Sequence, residues 1–360
     1  MTNRTRIHDA VAAPFDLELT ESFAISGGAQ ERALNVLVTV TLEGGAVGLG
    51  EAAPFPAFNG ETQAAVLEAW PAVRDAIAGA NVSNFRGISA KIHEATTSSA
   101  LAFGVETAVL DALCRSFDLP LVTLFGGDLD GQLRSDVTIT AGTVDHARAS
   151  AQRAMASGFD TLKVKVGAGS ARDDVERILA IASEAPSCRF ILDANGAFEA
   201  AAAIDLLASL RDVTVALFEQ PTGKDDIDGL AKVREYGSLR RIRVAADESL
   251  NDAHDLRALA GAVDVVNVKP SKSGLVGAYD LSIQALGAGF GLMIGGMVES
   301  GLAMSASACL ASAIGRFDFV DLDTPLFFAD APLVGGMRYE GACIRIDRCS
   351  PGHGVRLRGN

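Results

Sequence analysis

Eight charged side chains stand at the ends of short apolar runs, and they recur in a fixed order along the chain. Lys163 and Lys165 lie in LKVKV. Asp193 ends FILD, with Asn195 just after it, and Glu219 ends VALFE. Asp247 follows RVAA, Lys269 follows VVNV, and Asp321 and Asp323 lie in FVDLD. An unpaired charge is costly to bury, so an apolar run that ends on one calls for a reason. One or two of the aspartates could be helix N-caps. Six strand ends of this kind point instead to a shared site.

The residue types suggest what such a site would do. Asp193, Glu219 and Asp247 would end three consecutive strands, and neighbouring strands lie about 4.8 Å apart. Three carboxylates so close repel one another unless a cation joins them. An oxygen-only set suits Mg²⁺, with Mn²⁺ as a possible substitute, rather than Zn²⁺. Lys163 and Lys165 share one face of their strand, because side chains alternate. A lysine crowded by other positive charge gives up its proton more easily, and a neutral amine is a base. Two lysines on opposite sides of one carbon suit a particular reaction. One removes a proton α to a carboxylate, and the other returns a proton from the far side. The outcome is racemisation or epimerisation. One base with departure of a leaving group would give a lyase or cycloisomerase instead. Asp321 and Asp323 share a face and would receive a positive group across the mouth from the metal. A dipeptide zwitterion has that shape.

The elements that would position these groups are also legible. Short β-rich runs end near Thr140, Val166, Asp193, Glu219, Asp247, Lys269, Gly295 and Asp321, at intervals of 22 to 28 residues. Helical patterns fill the gaps. Thr143 to Ser157 is one, with Thr143 as N-cap and Gly158 as stop. Eight apolar strands alternating with helices predict an α/β fold, a (β/α)8 barrel of the TIM type. A doubly wound sheet would need a Gly-rich loop after its first strand, where AGTVD stands instead. In a barrel, functional groups gather at the C-terminal strand ends. The second and sixth strands, bearing Lys165 and Lys269, then lie opposite each other.

Residues 1–130 read as an α+β domain. Phe15 to Ile25 predicts a strand, and Asn35 to Leu42 with Ala46 to Glu51 a hairpin around Glu43-Gly44-Gly45. Helices follow over Glu61–Ala78, Asn84–Thr96 and Ala100–Phe117. Residues 131–325 form the barrel, and strands in 326–360 return to the first domain.

Composition narrows the function class. The 360 residues carry a net charge of −14, without a basic block, which disfavours nucleic acid and anionic membranes as partners. Phe290 to Gly315 is apolar, but Glu299 interrupts it, so it does not read as a membrane span. Five scattered cysteines form no CxxC pair, and the N-terminus has no apolar signal core. A cytoplasmic protein is expected. No feature sets an oligomeric number, and a homo-oligomer stays possible. A barrel that binds a ligand or partner without catalysis is the reading from another class. Loss of a metal ligand or a lysine would favour it, and none is lost.

KVKVG, ILDANG, FEQP, ADES, NVKPSKSG and DLDTP resemble the enolase superfamily, in its muconate-lactonizing subgroup. The likeness extends over nearly the whole chain, including GLGEAAP and LFGG in an N-terminal capping domain. It implies a modified barrel under that cap. It implies Lys165 and Lys269 as acid/base catalysts, Lys163 as partner of Lys165, and Asp193, Glu219 and Asp247 as Mg²⁺ ligands. Asp321 and Asp323 match the pair that binds the substrate α-ammonium in dipeptide epimerases. The implied reaction is inversion of the C-terminal residue of an L-Ala-Xaa dipeptide through an enediolate. Related o-succinylbenzoate synthases, N-succinylamino acid racemases and muconate cycloisomerases are the alternatives, and they are not expected to carry that pair. Glu299, in GGMVES, resembles a substrate-wall or supporting residue, and Asn195 a support of the metal site. Lys272, in KPSKSG, falls near the sixth strand. The family's Glu-selective members carry an Arg on the capping loop. Here Ile25 to Gln30 has glycines, so Ser26 and Gly27 are the expected substrate-facing residues of a mobile lid.

Overall fold

The structure, a computed structural model, describes residues 4–25, 28–127, 132–346 and 350–359. Ser26 and Gly27, and the lid reading attached to them, lie outside the described residues.

The chain opens with a long antiparallel ribbon, β1 (Ile7–Ile25) against β2 (Gly28–Leu42), and β3 (Val47–Ala52) adds to β2. The strand expected from Phe15 thus begins eight residues earlier, at Ile7. Exposed positions such as Val11, together with His8 and Asp9, blur the alternation there. The hairpin turn lies where Glu43-Gly44-Gly45 placed it, with Gly45 at φ 84°. Helices at Gln63–Ile77, Phe85–Ala95 and Ser99–Ser116 cover the ribbon. The third is buried from Ala100 through Cys114, because it lies between the sheet and the barrel. Gly48 and Gly50 make this possible. A Cβ at either would strike the backbone of Ala108 or Gly104, so the helix rests directly on β3.

After β4 (Leu133–Arg134) the eight expected strands follow. They are β5 (Val137–Ile139), β6 (Thr161–Lys165), β7 (Arg189–Asp193), β8 (Val215–Glu219), β9 (Arg243–Ala246), β10 (Val265–Val268), β11 (Gly291–Ile294) and β12 (Phe317–Val320). All neighbours pair in parallel and in sequence order. The seam between first and eighth strands is joined by Asp136 N donating to Val320 O (2.9 Å) and Thr138 N donating to Asp323 Oδ2. Helices lie between the strands. One of them caps as the sequence predicts: Thr143 accepts from His146 N.

Inside the barrel, Ile191, Leu217, Ala245, Val265, Met293 and Phe319 form an apolar plug. Alternation lifts the residues two positions on to the next inward layer. These are Asp193, Glu219, Asp247, Asn267, Gly295 and Asp321. The polar site is therefore the layer above the plug.

The end of the chain forms β13 (Leu333–Gly335), β14 (Arg338–Glu340), β15 (Cys343–Arg345) and β16 (Val355–Leu357). β15 pairs with β4, and β13 with β16. Leu333, Val355 and Leu357 pack with Leu37 and Leu49 of the opening sheet and with Leu302 of the barrel. No helix among the described residues is long and apolar enough to cross a membrane.

Candidate active site

The strands set the positions of the charged groups. Register aligns Lys165 with Asp193 and Asp193 with Glu219. Asp247 follows directly on β9, and Lys269 follows β10. Lys163 Nζ lies 2.9 Å from Asp193, 2.8 Å from Glu219 and 2.6 Å from Asp321. One ammonium therefore reaches from the third and fourth strands to the eighth. Lys165 Nζ contacts Asp193 Oδ2 at 2.6 Å and Asn195 Oδ1 at 3.3 Å. Lys163 and Lys165 thus share a face, as alternation requires. Lys269 Nζ lies 2.7 Å from Asp247 Oδ2.

Burial and charge compete at every one of these groups. Asp193, Glu219 and Asp247 are fully buried. Burial works to raise the Asp193 pKa, but Lys163 and Lys165 outweigh it and hold it below the carboxylate range. Asp247 is lowered in the same way by Lys269 and Lys272. At Glu219, burial and the Asp193 charge prevail and push the pKa to about 7. Burial also opposes the charge on Lys163 and Lys269, yet the carboxylates win and raise both.

A second acidic group lies at the barrel seam. Oxygens of Asp136, Asp321 and Asp323 fall within 4.8 Å of one another, and all three residues are buried. Burial, then Asp321, pushes Asp323 to about 7. Asp136 is raised further by burial and by both partners. Tyr339 closes this corner by donating to Leu322 O.

One cavity touches Lys163, Lys165, Lys269, Asn195, Asp321 and Asp323 together. Its roof is apolar: Phe23, Phe55 and Phe58 from the opening region, with Met297 after β11. Phe23 packs edge-on against Phe327 at 5.5 Å, and the Phe58 ring lies 5.2 Å from Lys269 Nζ. Among the described residues no arginine lines this cavity. Arg32, the base nearest the loop in sequence, is turned to Glu18 at 2.8 Å, and both side chains are exposed.

Two expected residues take supporting positions. Asn195, at φ 45°, donates to Glu248 Oε1 (3.0 Å) while facing Lys165. Glu299 is fully buried behind Gly296, which together with Met297 forms the wall. It therefore does not present itself to the cavity as a substrate-wall residue would. Glu248, which the sequence offers beside Asp247 at the fifth strand end, thus supports Asn195, whereas Asp136, Asn267, the three phenylalanines and the role of Lys272 are not singled out by the sequence. Asn267 donates to Glu219 Oε1 at 2.7 Å, and Lys272 holds Asp247. Asn267 could have been found from its place, two residues before Lys269 on the inward face.

The acidic set on β7 to β9 fits a hard dication. It offers oxygen only, on three adjacent strands. Among the described residues, Glu219 Oε2 and Asp247 Oδ2 are buried and face only lysine ammonium groups, at 2.8 and 2.7 Å.

Comparison with known proteins agrees with this architecture. Residues 10–126 match the mandelate racemase / muconate lactonizing enzyme N-terminal domain, and residues 146–360 match the enolase C-terminal domain-like family. An aromatic dipeptide epimerase of Herpetosiphon aurantiacus is 43% identical, over 98% of this chain and 99% of its own. An L-Ala-D/L-Glu epimerase of Thermotoga maritima is 33% identical, over 91% and 95%. A dipeptide epimerase from Enterococcus faecalis, solved with Mg and the dipeptide L-Leu-L-Tyr, superposes with a TM-score of 0.92 at 30% identity, covering 97% of this chain and 99% of that one. Matched along both of its segments, the chain belongs to the mandelate racemase / muconate lactonizing branch of the enolase superfamily, and it is an isomerase of the epimerase class.

Proposed function

We propose that the protein is a Mg²⁺-dependent dipeptide epimerase that inverts the α-carbon of the C-terminal residue, with an apolar or aromatic side chain preferred there. The observation that carries this reading is the shared cavity. Two lysines from the second and sixth strands, an acidic pair from the eighth and a phenylalanine roof all face it.

Asp193, Glu219 and Asp247 would hold the metal. Bound there, Mg²⁺ would supply charge stabilisation for the negative charge that builds on the substrate carboxylate when the α-proton leaves. Lys165 and Lys269 move the proton. One takes it from the α-carbon and the other returns one to the opposite face, with roles exchanged for the other enantiomer. Lys163 balances the carboxylates beside Lys165. Asp321 and Asp323 receive the α-ammonium, and Asn195 orients Lys165. Phe23, Phe55, Phe58 and Met297 enclose an apolar side chain and exclude water. Support for an apolar rather than acidic side chain comes from these rings, from the lack of arginine among the described lining residues, and from the aromatic-dipeptide relative. We place the capping unit at residues 1–130, completed by 326–360, and the catalytic barrel at 131–325. The C-terminal strands that pack on the opening sheet support this division.

Proton NMR in D₂O tests the reaction. With Mg²⁺, the C-terminal α-proton signals of L-Ala-L-Phe and L-Ala-L-Leu should disappear faster than that of L-Ala-L-Glu, and EDTA should stop the loss. Absence of exchange in every dipeptide, with Mg²⁺ bound, overturns the reading. Succinylated amino acids would then be the next substrates to test. For an anion lacking an ammonium group, Asp321 and Asp323 would be repulsive.

A further inference from the structure

Asp193 and Glu219 are held by strand register, but Asp247 lies one residue beyond the end of β9 and needs another hold. Three contacts supply it. Gln220 Oε1 accepts from Asp247 N at 2.9 Å. Lys272 Nζ donates to Asp247 O at 2.6 Å and to Asp247 Oδ1 at 3.0 Å. Oδ2 alone is left to face Lys269 and the site. Lys272 therefore grips one edge of the carboxylate and turns the other inward. Its side chain is 7% exposed, and it does not line the cavity beside the substrate groups.

The turn that carries Lys272 is in turn fixed by the opening domain. Lys272 N donates to Lys269 O at 2.9 Å, in the first turn of the helix Pro270–Gly287. That helix is broken at Gly274, with φ 76° and ψ 166°. A Cβ there would come within 2.5 Å of Glu106 Oε2, so the break and the glutamate fit only with glycine. Glu106, on the buried helix Ser99–Ser116, accepts from Val276 N at 2.9 Å, just past the break. Ser89 and His93 hold Glu106 from the other side, at 2.6 and 3.1 Å. Hydrogen bonds thus reach from the opening domain to Val276, and the short stretch of chain across the Gly274 break joins Val276 to Lys272 at the outer edge of Asp247.

We infer that Lys272 is a positioning residue for the cation site, aiming Asp247 without touching cation or substrate, and that Glu106 anchors it from the opening domain. This rests on the reading of Asp193, Glu219 and Asp247 as metal ligands. Partners that orient a ligand usually change metal affinity by about 10- to 100-fold when removed.

Isothermal titration of the substrate-free protein with MgCl₂ tests the inference, with far-UV circular dichroism and melting confirming the fold. Lys272→Met should weaken Mg²⁺ binding by about 10- to 100-fold. Lys272→Arg should restore most of it. In turnover, Lys272→Met should recover kcat at saturating Mg²⁺ while the Mg²⁺ activation constant rises. Glu106→Gln, remote from the site, should weaken binding by a smaller factor, and it serves where Lys272→Met fails to fold. Unchanged Mg²⁺ affinity in a folded Lys272→Met protein overturns the role of Lys272, and unchanged affinity in Glu106→Gln removes the anchor. A wild-type protein that binds no Mg²⁺ overturns the metal reading itself and this inference with it, a result distinct from either variant's failure.

Discussion

Two carboxylate clusters share the mouth of the barrel, both buried and differently balanced. Asp193, Glu219 and Asp247 meet four lysines: Lys163, Lys165, Lys269 and Lys272. Among the described residues, Asp136, Asp321 and Asp323 meet only Lys163, and that at Asp321. Burial works to raise carboxyl pKa values in both. In the first cluster the lysines overcome it at Asp193 and Asp247, while at Glu219 burial and the Asp193 charge still prevail. In the second, burial and like charge act together, and Asp136 and Asp323 rise. Burial alone therefore does not decide the charge state; the balance of neighbouring cations and carboxylates against it does. The first cluster is the one proposed to hold the dication beside the two acid/base lysines. The second, shorter of positive charge, is the one proposed to receive the substrate ammonium.

The largest effect should come from breaking the lysine side of the first cluster. Lys165→Ala should lower epimerisation by about 10²- to 10⁴-fold, the usual worth of a positioned acid/base group. Mg²⁺ binding should persist, since Asp193, Glu219 and Asp247 remain. Retained α-proton exchange in D₂O would remove Lys165 from the mechanism.

Breaking the second cluster should be milder and selective. Asp321→Asn with Asp323→Asn should reduce kcat/KM for dipeptides by about 10²-fold, from the loss of charge-assisted hydrogen bonds. N-acylated substrates, which lack the ammonium, should change little. Equal losses for both classes would sink the ammonium assignment.

The pH dependence sharpens the same contrast. Asp323 is raised to about 7, so it is protonated below that pH and charged above it. Dipeptide KM should then climb as pH falls below about 7, by up to about tenfold per unit for one proton. The sign for stability is the opposite. A raised carboxyl favours folding while protonated, and that contribution is lost as pH rises from its ordinary value through about 7. Asp323→Asn should flatten both trends, read from KM and melting temperature against pH.

The smallest effect concerns the roof. Phe58→Ala should cost about fivefold in kcat/KM for aromatic dipeptides and leave Mg²⁺ affinity untouched. A gain for L-Ala-L-Phe would contradict the apolar pocket.

Much of this arrangement was legible in advance, for a local reason. All eight barrel strands end within one residue of where the apolar runs placed them. A buried parallel strand must be apolar along its length, and a charge at its end marks where it leaves the core. The opening ribbon was read less well. β1 starts at Ile7, where alternation is interrupted and exposed side chains dilute the signal. For Glu299 the motif leaves a substrate-wall and a supporting position both open. The structure puts it behind Gly296, because the turn after β11 gives the wall to Met297.

The rest depends on contacts across long stretches of chain. Asp136 became part of the acidic seam only because the first strand meets the eighth, bringing it beside Asp321. Phe23, Phe55 and Phe58 look like ordinary core residues until the ribbon lies over the barrel mouth. Glu106 meets Val276 N across 170 residues of sequence, close beyond the Lys272 that grips Asp247. By itself the sequence determined the strands, their order and which end bears charge, since periodicity and burial act within a few residues. Tertiary structure alone decided which charges share a cation, which are left short of one and what covers them. Those outcomes depend on distances of a few ångströms between segments 25 to 170 residues apart, and no local pattern encodes them.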